Sequence, residues 1–186
     1  VTVKIEGTAW VRNYAVPAGT VIASDLIPKA GGVDARLISL PCSFVPLGTP
    51  CGGVGTFSNK GIHITSDVPI VAYAHIYNAS ISGATLLFPT NTLGKEYYSV
   101  NYTQQSNASD ANSFFFVVAT EDNTTIEITP SAANVNGLTP GVATTIPITL
   151  NQGDVYSVFG TVSGTKGTDL TGSKVRSIST AGSVGC

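Results

Sequence analysis

NKGIHITSDVPIVAYAHIYN, residues 59–78, is the stretch on which the fold class turns. Ile62, Ile64 and Thr65 close one strand pattern, Ser66-Asp67-Val68-Pro69 interrupts it, and a more apolar strand pattern follows over 70–77. Asp67 can accept hydrogen bonds from nearby backbone amides. Pro69 fixes φ and offers no N–H. The junction is therefore expected to be a stiff corner between two strands, with Asp67 and Pro69 as its structural residues.

Outward from this corner the same grammar repeats. EYYSVNY (96–102) is a strand pattern. FFFVVATEDNTTIEITP (114–130) reads as a strand, a polar hairpin turn at Glu121-Asp122-Asn123, and an alternating strand. Phe114, Phe115 and Phe116 send side chains to both faces, so that strand is expected to be central and covered on each side. At the start, Val1, Val3 and Ile5 alternate with Thr2, Lys4 and Glu6, the mark of a half-buried strand. Further strands are expected over 13–16 and 20–26, hinged at Pro17-Ala18-Gly19, and over 60–65, 85–88, 144–150, 154–159 and 174–179. This spacing, with turn residues between, is that of an all-β chain folded as a β-sandwich. No apolar period of 3.6 residues persists for three turns, so almost no helix is expected.

In this order and spacing the pieces resemble the N-terminal domain of the IgGFc-binding protein family, an extracellular β domain of mucus-associated animal proteins and of large bacterial surface proteins. Ala15-Val16-Pro17-Ala18-Gly19-Thr20 and TLLFPTNTLGKEYY (85–98) add to the match, which runs from about Tyr14 to Ile178. The resemblance implies surface display or mucus-type adhesion. It carries over no binding residue and does not imply antibody binding.

The order strand, turn ending in Gly, strand, loop, strand occurs twice, which suggests two packed sandwich-like halves, 1–90 and 91–186, within a single extracellular domain or fragment. After its second copy the family pattern continues as an SDxP turn and another apolar strand. Here the chain reads Ser179-Thr180-Ala181-Gly182-Ser183-Val184-Gly185-Cys186, so the strand that closes the second half is expected to be missing, shortened or divergent.

Composition narrows the function. Charged residues make up only 11% of the 186, and the formal net charge is −2, which leaves no field to attract nucleic acid or an anionic membrane. No Lys/Arg cluster lies among the aromatics. No run approaches the ~18 apolar residues of a membrane span, so no membrane insertion is expected. Abundant Thr, Val, Gly and Ser with no Met fits a secreted β protein. Val1 is not a start residue and Cys186 reads as a cut, so the chain is taken as a mature product or a fragment.

Cys42 and Cys51 bracket a loop holding Pro46, Gly48 and Pro50. A disulfide is expected there, worth about 2.5 kcal/mol on the chain-entropy model. Two unpaired thiols or two zinc ligands are the alternatives, and the spacing is not that of a zinc knuckle. Cys186 is left over.

His63 and His75 stand in strand patterns with no nucleophile or carboxylate named beside them by sequence, so no catalytic residue is assigned and no enzyme is expected. Asp67, Asp110, Glu121, Asp122 and Asp154 have the oxygens calcium favours, but Asp67, Asp122 and Asn123 are better explained as turn residues. No metal and no cofactor is expected. Sequons begin at Asn78, Asn101, Asn107 and Asn123. Tyr97, Tyr98, Tyr102 and Trp10 could form a platform for sugar or protein, though aromatics on strands are more often core.

Long loops in compact β domains are commonly functional. The stretches 41–55 and 104–113 are accordingly the expected recognition loops, with Phe44, Leu47, Gln104, Asn107 and Asp110 as their candidate contact residues. The expected role is adhesion or assembly at a cell surface or in an extracellular matrix, through protein or glycan contacts, with self-association or a larger parent polypeptide as further arrangements. A carbohydrate-binding module is the alternative.

Overall fold

The computed structural model describes residues 1–37, 55–78, 81–105, 112–144, 146–179 and 184–185. Cys42, Cys51, Phe44, Leu47, Asn107, Asp110 and Cys186, and with them the expected disulfide, lie outside the described residues. The described part is all-β, its helical content being two single 3₁₀ turns at Gly31–Val33 and Thr90–Thr92. No helix among the described residues is long and apolar enough to cross a membrane.

A β-sandwich is built from the later part of the chain together with one short strand from its first third. One sheet joins β10 (Ile148–Leu150), β9 (Thr124–Thr129), β14 (Lys174–Ser177) and β7 (Glu96–Tyr98) in that order. The other joins β15 (Val184–Gly185), β8 (Phe114–Ala119), β11 (Val155–Phe159) and β3 (Gly55–Phe57). All these pairs are antiparallel. Alternation decides which side chains go in: Phe115, Val117 and Ala119 of β8 and Val158 of β11 meet Ile126 and Ile128 of β9, Leu150 of β10 and Val175 of β14. Leu170 completes this core from the loop before β14, and Tyr97 packs at its border. Burial of this set is the main force holding the sandwich together, since fully burying one such aliphatic side chain is worth about 1.5–3 kcal/mol. A small hairpin, β12 (Val162–Ser163) with β13 (Lys166–Gly167), leaves the end of β11.

The opposite face of β8 differs from the sequence expectation. Phe114 and Phe116 are each 39% exposed, while Phe115 is buried. The strand is covered on one face, and on the other it relies on Phe159, stacked on Phe114 at 5.3 Å.

The first residues form a second, smaller core. β1 (Thr2–Ile5) lies between β2 (Val11–Asn13) and β4 (Ile62–Thr65), and Val3, Ile5 and Trp10 are buried among Tyr14, Ile27, Val33 and Ile64. The strand expected over 20–26 is an irregular, exposed segment, with Val21 97% exposed. Its turn is closed by the Thr20 amide on the Pro17 carbonyl, and Arg12 holds Asp25 at 2.9 Å. The two cores meet at a glycine contact. Gly61 N–H donates to Gly153 O at 2.8 Å, and a Cβ on Gly153 (φ +82°) would lie 2.3 Å from Cβ of Glu6. Only glycine fits so close an approach at positive φ.

After β4 the chain bends at Asp67 and Val68 and enters a hairpin of β5 (Ala72–Asn78) and β6 (Ile81–Leu87). The corner is present and Pro69 stands in it. The Asp67 carboxylate is exposed and has no hydrogen-bond partner among the described residues, so the cap read from sequence is not formed.

Candidate recognition surface

The loop from Ser99 to Ser113 crosses from the sheet containing β7 to the sheet containing β8. Its described ends are pinned by polar groups. Asn101 N donates to Thr171 Oγ1 at 2.9 Å, and the Thr171 hydroxyl has Asn101 O and Asp169 Oδ1 within 2.9 and 2.7 Å. Asn101 Nδ2 donates to Phe114 O at 2.8 Å. Gln104 is exposed but its carbonyl accepts from Gly167 N at 2.8 Å, and Gln105 bridges to Lys166. On the return side, Asn112 Nδ2 donates to Gly160 O at 2.8 Å. Ends anchored in this way need little further ordering on binding. Sequence reasoning found the loop by its length. It read Asn101 only as the start of a sequon and missed its tie to Thr171, because the two meet across 70 residues of sequence.

The aromatic platform splits. Trp10 is buried in the first core, with Arg12 over its ring at 5.1 Å. Tyr97 packs on the sandwich core. Tyr98 and Tyr102 are well exposed, as is Val100 between them. Lys174 lies 5.7 Å from the Tyr98 ring and pairs with Glu96 at 2.9 Å, so the surface beside the tyrosines is locally neutral. The hydrogen bond to Glu96 is the chief reason that the Lys174 ammonium is held above its ordinary pKa. Beside these residues opens a cavity of about 420 Å³ lined by Tyr97, Tyr98, Val100, Asn101, Phe115 and Val175, among others. Asn101 Oδ1 is buried with no partner.

The hairpin turn at Asp122 and Asn123 is present, with Asn123 at φ +56°. Asp122 Oδ1 accepts from Gln152 N at 3.0 Å, so this turn braces the turn before β11. Of the sequons, Asn123 is exposed, whereas the Asn101 amide is already engaged with Phe114.

The histidines lie apart. His63 Nδ1 is 2.5 Å from Glu6 Oε1, and Lys4 Nζ is 3.0 Å from the same oxygen. Burial acts to raise the Glu6 pKa, but the hydrogen bonds from His63 and Lys4 outweigh it and hold the carboxyl below its usual range. His75 Nε2 is 3.2 Å from Ser82 Oγ on the exposed hairpin, a neighbour that sequence did not name. No group of three His, Cys, Asp or Glu that could hold a metal occurs among the described residues.

Comparison with known proteins follows the same direction. The family whose description is IgGFc binding protein matches residues 83–184, more than half of the 186-residue chain. The match takes in β7 to β14, the strands that supply the sandwich core. No curated protein and no solved structure matches the chain.

Proposed function

The chain belongs to the IgGFc-binding protein family, and from that premise we propose that it is a non-enzymatic adhesion or structural domain of a secreted or cell-surface protein. Family membership supports an extracellular binding or structural role. The finer reading is that the strands act as a frame, and that the loops 41–55 and 104–113 meet a protein or glycan at a surface or in an extracellular matrix.

The anchoring of the second loop is the observation that carries this reading. Thr171, Asn112 and Gly167 fix its described ends, and Tyr98, Val100 and Tyr102 stand exposed beside it. Exposed tyrosines next to a fixed loop suit recognition, because their rings offer much contact area at little entropic cost. The low local charge favours contacts by rings, backbone and hydroxyl groups with weak salt dependence.

A glycan array together with immobilised mucin and matrix proteins, probed with the intact chain and with a Tyr98→Ala/Tyr102→Ala variant, tests the proposal. Binding by the chain that falls at least tenfold in a variant with unchanged melting temperature is expected. Equal binding by both would move recognition elsewhere. Binding confined to one glycan class would select the carbohydrate-binding alternative.

A further inference from the structure

One hairpin stands outside both cores. β5 and β6, between β4 and β7, pair only with each other, so each keeps an outer edge with no strand beside it among the described residues. Edges of this kind are normally blunted by charge, by proline or by a bulge. Here no Lys, Arg, Asp or Glu occurs between Val68 and Gly94, neither strand contains Pro, and the register runs unbroken from Ala72↔Leu87 to Asn78↔Ile81. Along β5 and just before it, Val71, Tyr73, Ile76 and Tyr77 are 68–76% exposed.

The register also tells which peptide groups point outward. Asn78 pairs with Ile81 across two residues. A two-residue hairpin closes on the backbone bond between the residues that flank it. The alternation of an antiparallel ladder then turns Ala72, Ala74 and Ile76 inward to β6 and leaves the N–H and C=O of Tyr73, His75 and Tyr77 facing out. The same three residues share one face of the ribbon, where the His75 and Tyr77 rings meet edge to face at 6.0 Å. β6 turns out Ser82, Ala84 and Leu86, with Gly83 among them, and residues so small make a poorer pairing strand than aromatic ones.

We propose that β5 pairs antiparallel with β5 of a second copy of this chain, about a twofold axis beside His75. His75 exchanges both backbone bonds with the partner's His75, and Tyr73 and Tyr77 exchange theirs with the partner's Tyr77 and Tyr73. The two hairpins become one four-stranded ribbon with both tyrosine pairs on one face. With no Lys, Arg, Asp or Glu on it, the edge meets its own copy without like-charge repulsion. Two tyrosines and two aliphatic side chains at this exposure, with the strand edge, offer roughly 600 Å² per copy, so the pair buries roughly 1,200 Å², the lower limit of a specific interface. The contact is therefore weak and reversible, and being isologous it closes at the dimer. It uses neither recognition loop proposed above and stands apart from that reading.

The test uses the intact chain with free thiols alkylated, so that intermolecular disulfides cannot imitate assembly. Sedimentation velocity over a concentration series is expected to show a monomer–dimer equilibrium that goes no further. Amide exchange read by NMR is expected to slow at least tenfold at Tyr73, His75 and Tyr77 as the dimer forms, while Ser82, Ala84 and Leu86 stay open. His75→Lys sets two like charges across the axis, and His75→Pro removes an outward N–H while sparing the inner ladder. Each is expected to raise the dissociation constant at least tenfold. Ala84→Lys puts the same charge on β6 and is expected to dimerise like the parent. Circular dichroism and melting establish that the variants are folded, the proline variant serving if the lysine one is not. A parent chain that stays monomeric up to ~1 mM overturns the proposal. So does a folded His75 variant that dimerises like the parent, or slowed exchange at Ser82, Ala84 and Leu86 in place of the β5 amides.

Discussion

Gly61 and Gly153 stand in backbone contact, N–H to O at 2.8 Å, and through them the small N-terminal sheet is fixed against the turn that precedes β11. Neither position has room for a side chain. A Cβ on Gly61 would sit 2.6 Å from the Gly153 Cα, and a Cβ on Gly153 would run into Glu6. Gly153→Ala combines that clash with positive φ and is expected to cost about 2 kcal/mol or more. Gly32→Ala meets nothing within 4 Å and is expected to change stability by less than about 0.5 kcal/mol. Thermal melts of the two variants make the comparison, and similar losses in both would refute the packed junction.

The carboxylate beside that junction gives a pH dependence with a definite sign. Glu6 has a lowered folded pKa, the hydrogen bonds from His63 and Lys4 outweighing burial. A lowered folded value means that its contribution is full above the unfolded pKa and is lost as pH falls through the folded one. Glu6→Gln is therefore expected to melt below the parent at pH 7, with the gap closing in acid below the usual glutamate range. Asp34 behaves alike at lower pH. Its hydrogen bonds from the Arg36 side chain and backbone amide bring it down to about 2, and a carbon-detected NMR titration should place its midpoint there.

Burial separates two chemically equal substitutions. Ile128 is fully buried in the sandwich core, while Ile76 on the hairpin is 68% exposed. Ile128→Ala is expected to cost about 2–5 kcal/mol, and Ile76→Ala less than about 0.5 kcal/mol in the monomer. Denaturant unfolding at low protein concentration keeps any self-association out of the measurement. Comparable losses at the two sites would contradict the assigned cores.

Much of this frame was legible. Alternation placed β1 and β9, because each buries one face and period two is the signature of a half-buried strand, whereas β8 was found by its apolar run and read as covered on both faces, of which only one is. The strand expected over 144–150 begins only at Ile148, since Pro147 lacks the N–H that a ladder needs. The 96–102 pattern stops at Tyr98 because Asn101 turns to bond with Thr171. β3 and the β12–β13 hairpin are too short to leave a pattern. The order of strands within each sheet was not legible, because period-two alternation carries no information about which strands are neighbours.

The last expectation concerns the tie between Asn101 and Thr171. The Thr171 hydroxyl accepts the Asn101 amide and stands within 2.9 Å of the Asn101 carbonyl, so it fixes the start of the proposed recognition loop. Thr171→Val keeps the shape and removes these bonds. Because Thr171 is exposed, water can satisfy the released groups, and the cost in global stability is expected to be about 1 kcal/mol or less. Local order should suffer more. Amide exchange across residues 99–105 is expected to accelerate at least tenfold while the β8 and β9 amides keep their protection. If the anchored loop does the recognising, affinity for the partner identified by array should fall together with that loss of local order. Faster exchange with unchanged affinity would show that the loop is held for the sake of the sandwich and that recognition lies on another surface.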